Sequence, residues 1–182
     1  MMKGKAVYLR PIRKEDMTSF YECVRDEETR YMTGTKRTFT MEDLYKHYEH
    51  ITKDETRHDF AICLIDGDKI IGDLSIVDID ADNRKGFFRI ALHNRLYFNK
   101  GYGTEAVRLA LEFSFEKLKL NRLQLEVFSH NVRGMKSYEK AGFKKEGVLR
   151  QSLLYNNQFS DEIIMGMLKE EYDKLKAGGR TK

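Results

Sequence analysis

The chain has 182 residues with 33 basic against 29 acidic side chains, a net charge of +4, one proline and two cysteines. That length is expected to form one domain, residues 1–182, with a full core. The small charge excess sits in short pairs such as Lys36-Arg37, Arg84-Lys85 and Lys144-Lys145, which read as solvated surface and speak against direct nucleic-acid binding. With no run of about 18 apolar residues and no apolar leader behind Met1, neither a membrane nor a secreted chain is expected, and two cysteines without ligand spacing suit a reducing cytoplasm.

In chain order, residues 6–10 read as a strand and residues 15–25 as a helix with an acidic start. Residues 28–39 are polar and irregular around Gly34. Thr40 caps a helix over 41–51, with Asp43 at capping-box spacing. Strands over 59–65 and 69–77 flank Asp66-Gly67-Asp68, a hairpin signal because Asp-Gly tolerates positive φ. A second turn over 80–84 leads to a strand over 86–93. A helix over 103–119, a strand over 123–128, a helix over 133–141 and two strands around Tyr155-Asn156-Asn157-Gln158 complete the pattern. Residues 176–182 are a polar tail expected to fray. The order is α+β with a mixed central sheet. His47 and His50 lie three apart on one helix face, but no second ligand pair accompanies them and no metal is expected.

The segment Asn99-Lys100-Gly101-Tyr102-Gly103-Thr104-Glu105 carries the most chemistry. Two glycines between a strand and a helix let backbone approach a ligand, and free first-turn N–H groups bind anions. A nucleotide P-loop needs four residues between its glycines and a following lysine; here one residue intervenes and Lys100 precedes. The dinucleotide fingerprint is weakened by Ala106 at its third glycine.

Downstream, Asn131 is followed by Ser137-Tyr138-Glu139-Lys140-Ala141-Gly142-Phe143. Together with the Gly101–Gly103 turn this resembles the acetyl-CoA-binding core of the GNAT N-acetyltransferases. The opening Val7-Tyr8-Leu9-Arg10-Pro11-Ile12 and the closing stretch from Glu146 to Ile163 are similar to the branch that acetylates ribosomal-protein N-termini and spermidine. The resemblance runs from about Val7 to Tyr172. It implies a mixed, twisted sheet splayed between two parallel strands, with helices on both faces. It also implies direct transfer of acetyl from acetyl-CoA to a primary amine, with no acetyl-enzyme and no metal, and, by family habit, a homodimer.

The site follows from that resemblance. Backbone N–H groups of Lys100, Gly101, Tyr102, Gly103 and Thr104 are expected at the CoA diphosphate, with Asn99 also at the cofactor. Pantetheine runs along Ile90, Ala91 and Leu92 like an added strand, the Leu92 N–H polarises the carbonyl, and a β-bulge near 91–93 opens the strands. Asn131 bonds the pantetheine arm, caps the next helix, or does both. Ser137 and Lys140 face the cofactor, and Tyr138 is the general acid; without the family context it reads as a half-buried aromatic. The family's Gln or Arg three residues before the first glycine is Phe98 here. Its strand glutamate is replaced by Phe87 and Phe88, so Asp73, Asp78, Glu28, His93 or a water chain competes for the base.

Tyr31, Phe39, Phe87, Phe88 and Tyr155 are candidates for the acceptor pocket, with ordinary core as the alternative. The basic stretch from Arg30 to Arg37 argues by charge against a polyamine and leaves a protein N-terminus, which the branch resemblance favours, an amino sugar or a small acidic amine. Two rivals stand beside the enzyme: a non-catalytic acyl-CoA sensor and a dinucleotide binder.

Overall fold

In the computed structural model, which describes residues 1–179, eight strands form one sheet. Their spatial order is β1 (Met2–Lys3), β2 (Val7–Pro11), β3 (His58–Leu64), β4 (Ile70–Asp80), β5 (Lys85–Leu92), β6 (Arg122–Phe128), β8 (Gln158–Leu168) and β7 (Lys144–Tyr155). The β5–β6 pair is parallel and the other pairs are antiparallel. Strand alternation divides the core in two. On one face Phe60, Ile62, Leu74, Phe88, Leu123 and Leu125 meet Ala106, Val107 and Ala110 of α4 (Tyr102–Glu112). On the other, Ala61 and Cys63 are buried, as are Met17 and Cys23 of α1 (Met17–Arg25) and Leu44 and Ile51 of α3 (Met41–Ile51).

The α3 boundaries and its Thr40–Asp43 capping box are those expected from the sequence. Residues 28–39 differ: α2 (Glu27–Thr33) forms there, capped by Asp26 accepting from the Thr29 amide at 2.7 Å and closed by Gly34 at φ +68°. Both caps are written in the sequence; the segment's polarity masked them. The helix expected over 103–119 ends at Glu112 and widens into a π-turn over Phe113–Lys117, where the Ser114 hydroxyl donates to the Ala110 carbonyl at 2.8 Å. Residues 176–178 are the last turn of α6 (Lys169–Gly178) rather than a frayed tail; residues 180–182 lie outside those described.

Three rungs hold β5 to β6: Lys85 to Arg122, Gly86 to Leu123 and Phe87 to Gln124. Beyond them the strands part. The expected bulge near 91–93 is absent, since β4 and β5 stay in register from Gly72–Leu92 to Val77–Phe87. The irregularity lies on β4 instead, at Asp78 with φ +50°. Splaying needs no bulge here because β5 stays with β4 and β6 with β8, and sheet twist carries the two halves apart.

One buried ion pair anchors the start of α1. Arg10 donates to both Asp16 carboxylate oxygens at 2.7 and 2.8 Å, and the Arg13 amide donates to the same group at 2.8 Å. Burial alone would raise the Asp16 pKa; the Arg10 fork and the Arg13 amide outweigh it and lower it. A depressed folded-state pKa stabilises above the ordinary carboxylate range, and that stability is lost as pH falls through the lowered value. Asp16→Asn should therefore cost about 2 kcal/mol at pH 7 and little near about pH 2, read by urea unfolding at both.

Candidate active site

The parting of β5 and β6 opens a cleft of about 640 Å³. Its walls are Ile90, Ala91 and Leu92 of β5, the Tyr97–Thr104 segment, α2 through Thr29, Met32 and Thr33, and α5 (Val132–Ala141). Of the residues expected to hold the cofactor, Ile90, Ala91, Leu92, Asn99, Gly101, Gly103, Thr104, Asn131, Ser137 and Lys140 line it, as does Tyr138. The Lys100 and Tyr102 side chains do not; Tyr102 lies against the core. The free edge of β5 faces the opening. The His93 amide bonds the Ile71 carbonyl at 2.9 Å, and strand N–H groups alternate in direction, so those of Ile90 and Leu92 point away from β4.

At the mouth, Asn99 (φ +59°) and Gly101 (φ +84°) adopt left-handed backbone around Lys100. Gly101 is the N-cap of α4 and no side chain caps it. The Glu105 amide makes the first ladder bond, to the Gly101 carbonyl, so the amides of Tyr102, Gly103 and Thr104 have no intrahelical acceptor. A Cβ on Gly103 would meet nothing nearer than Leu92 Cδ1 at 3.7 Å. The fold itself therefore does not demand glycine there, and the cleft it lines is the place where the missing side chain matters.

The α5 wall begins at Asn131, whose Oδ1 accepts from the Gly134 amide at 3.0 Å as N-cap. Ser137 meets Thr104 hydroxyl to hydroxyl at 3.0 Å, tying α5 to α4. Tyr138 is buried, its ring edge-on to Phe88 and Phe143. The Tyr138 hydroxyl has no hydrogen-bond partner among the described residues, yet no enclosed side-chain oxygen or nitrogen there lacks one, so this oxygen opens on the cleft. Burial pushes its pKa up to about 12. Gly142, at φ +104°, ends the helix, and Phe143 is core.

Sequence reasoning missed Arg133, Lys136 and the α2 wall. Arg133 lies 3.6 Å over the Phe98 ring and 3.3 Å from Glu28, which Arg95 also approaches at 3.9 Å. Phe98 thus replaces the family's polar residue with a seat for a cation from α5, a pairing no local pattern reveals.

The base candidates separate. Glu28 is committed to two arginines, and Asp78 lies at the other end of β4. His93 cannot take a proton directly: Nε2 is 2.7 Å from Asp73 Oδ1 and Nδ1 is 3.0 Å from Ser19 Oγ.

None of Tyr31, Phe39, Phe87, Phe88 and Tyr155 lines the cleft. Tyr31 stacks on His130 at 4.1 Å and meets Tyr155 edge-on, a cluster bracing α2 against the sheet; Phe39 lies apart under Arg37. The basic 30–37 stretch is largely spent on its own fold. Arg30 donates to the Thr35 and Lys36 carbonyls and Arg37 pairs with Asp43. On the part of β6 freed from β5, Glu126 lies close to Glu162. Burial, followed by that neighbour, raises the Glu126 pKa. The charge argument against a cationic acceptor does not survive this arrangement. Among the described residues, no group of three His, Cys, Asp or Glu could hold a metal ion, and no helix is long and apolar enough to cross a membrane.

Comparison with known proteins agrees with this architecture. The acetyltransferase (GNAT) domain family matches residues 6–144. The probable N-acetyltransferase YjcK of Bacillus subtilis is 30% identical over 188 residues, covering 94% of this chain and 98% of that protein. Spermidine N(1)-acetyltransferase of Escherichia coli is 30% identical over 176 residues, covering 94% and 91%. The fold resembles that of Vibrio cholerae spermidine N-acetyltransferase in complex with CoA and spermine, with a TM-score of 0.87 at 21% identity over 93% of this chain and 99% of that one. A family match over most of the chain, with two relatives at 30% identity along nearly all of it, makes this protein a member of the GNAT acetyltransferase family and an N-acetyltransferase.

Proposed function

We propose that the chain moves the acetyl group of acetyl-CoA onto a small primary amine by direct attack in a ternary complex. The observation that carries this is the Tyr138 hydroxyl, unpartnered and open to a cleft that also holds an uncapped helix start and a free strand edge. These features fit the cosubstrate: the α4 amides and the open space at Gly103 suit a diphosphate, and the β5 edge suits an amide-bearing arm. Bound there, acetyl-CoA supplies an activated acyl carbon and a sulfur leaving group. The Leu92 N–H faces the cleft and donates to the carbonyl oxygen as charge develops on it. Asn131 orients the arm with its remaining Nδ2 donor, while Lys136, Lys140 and Arg133 add positive charge along the α5 wall.

Tyr138 Oη gives its proton to the departing sulfur. With its pKa near 12, the phenol keeps that proton at any working pH. A thiolate forming beside the buried Tyr138 is raised by desolvation as well, which brings donor and acceptor closer in proton affinity. A purely binding module has no use for such a donor.

The acceptor is a small amine, a reading supported by Glu126 and Glu162 beside the splay and by relatives that are spermidine acetyltransferases. The test is thiol release from acetyl-CoA in the presence of spermidine, with a hexapeptide bearing a free N-terminus for comparison. Spermidine-dependent release is expected. Release with the peptide alone would move the acceptor to a protein N-terminus. Binding of acetyl-CoA with no release on either amine would favour the sensor, and absence of acetyl-CoA binding would end the proposal.

A further inference from the structure

We propose that Ser19, His93 and Asp73 form the proton-accepting chain for the acceptor amine, with Ser19 meeting the amine proton and His93 holding it beside the Asp73 carboxylate. This rests on the acetyl-transfer reading above and names the base that reading lacks.

The chain sits one residue beyond the cleft wall. Asp73 pairs across the strands with Ala91, which lines the cleft, and His93 follows two residues later on the same face. Its ring is buried, edge-on to Phe20 at 5.0 Å. Helix α1 covers that face and brings Ser19 Oγ to 3.0 Å from Nδ1, while Asp73 Oδ1 lies 2.7 Å from Nε2.

The partners assign the tautomer. A carboxylate only accepts, so Nε2 carries the hydrogen and donates it to Asp73. Nδ1 then holds the lone pair and accepts the Ser19 O–H. The one vacancy for a further proton is Nδ1, and it is reached through Ser19, which is half-buried rather than enclosed. Once charged, the imidazolium donates to Ser19 Oγ and to Asp73, so no unpaired charge is left in the interior.

The proton count closes. The C–N bond forms as the C–S bond breaks and its electron pair leaves on sulfur. Of the three ammonium protons, one passes through Ser19 to His93 and on to solvent. One replaces the proton that sulfur takes from Tyr138, and one stays in the amide.

Other titratable groups near Asp73 do not compete for this position. Cys23 of α1 is held protonated by burial, with the Asp73 charge adding to the effect, and His47 of α3 is held neutral chiefly by burial. Neither bonds His93.

Two measurements test the chain. Long-range proton–nitrogen NMR of the whole protein should show His93 as the Nε2–H tautomer, with the lone pair on Nδ1. The pH profile of kcat/KM for spermidine should change when His93 is replaced. His93→Gln should lower kcat at pH 7 by about 100-fold with the KM for acetyl-CoA within about twofold. That deficit should shrink towards about pH 10, where solvent deprotonates the amine unaided. Ser19→Ala should behave alike and Ser19→Thr should restore the rate. An Nδ1–H tautomer or a wild-type pH profile in His93→Gln would overturn the inference. A wild-type protein that releases thiol with neither spermidine nor the peptide defeats the transfer reading instead, and the imidazole spectrum still decides the tautomer.

Discussion

Replacing Tyr138 by Phe is expected to lower kcat for acetyl transfer by about 100-fold or more, with the fold and acetyl-CoA binding nearly unchanged. The separation follows from what the side chain touches. Its ring sits among Phe88 and Phe143, and Phe keeps every one of those contacts. Its hydroxyl has no partner among the described residues to leave unsatisfied, so unfolding free energy should move by no more than about 0.5 kcal/mol. What disappears is the proton donor proposed for the departing sulfur. The residual rate should come from positioning and from the Leu92 N–H. Since the phenol stays protonated up to about pH 12, the wild-type profile should show no alkaline decline from this group below that value. A variant within threefold of wild type would remove Tyr138 from the acid role. Calorimetric titration with acetyl-CoA, run beside the kinetics, distinguishes a lost proton donor from a lost ligand.

Gly103→Asp should weaken acetyl-CoA binding about 100-fold or more, equivalent to about 2.7 kcal/mol, while leaving thermal stability equal or slightly higher. Gly103 is the second residue of α4, its φ is not positive, and an added Cβ finds 3.7 Å of clearance. A carboxylate in a first helical turn is favourable by about 0.3–1 kcal/mol. The same charge would stand where the diphosphate is proposed to sit, competing for the same amides and repelling the ligand. Gly101→Ala should show the opposite pattern. With φ at +84°, any side chain there strains the backbone by about 1–2 kcal/mol, and stability should fall first. If Gly103→Asp bound acetyl-CoA as tightly as wild type, the diphosphate would have to lie elsewhere.

The two glycines thus do different things that look identical in sequence. A Gly-x-Gly turn before an amphipathic helix announces a backbone that comes close to something. The need for φ +84° at Gly101 and the clearance at Gly103 appear only when the turn is folded. Helix α2 makes the same point from the other side. Asp26, the acidic first turn and Gly34 are proper caps, but a seven-residue polar helix has too weak a periodicity to stand out, and it forms a wall of the cleft all the same.

Local patterns carried what depends on neighbours along the chain. The strand alternation, the Thr40–Asp43 cap, the Asp-Gly and Asn-Asn turns and the order of the motifs were legible, and with them the α+β fold; the strip Ile90–Leu92, Gly101–Thr104 and Asn131–Lys140 was implied by the family resemblance. The splay was implied by family resemblance, but its cause is the divergence of two twisted half-sheets joined by three rungs, not a bulge. Contacts between residues far apart in sequence had no local signature. Arg133 over Phe98 and Ser19 on His93 depend on how α5 and α1 settle on the sheet, and Glu126 beside Glu162 and Asp73 beside His93 depend on which strands pair and in what register. The motifs, through the family they resemble, therefore pointed to an acetyl-CoA-dependent N-acetyltransferase. Tertiary packing alone decided which groups surround it, because burial, hydrogen-bond partners and the direction of a ring nitrogen are properties of neighbours in space.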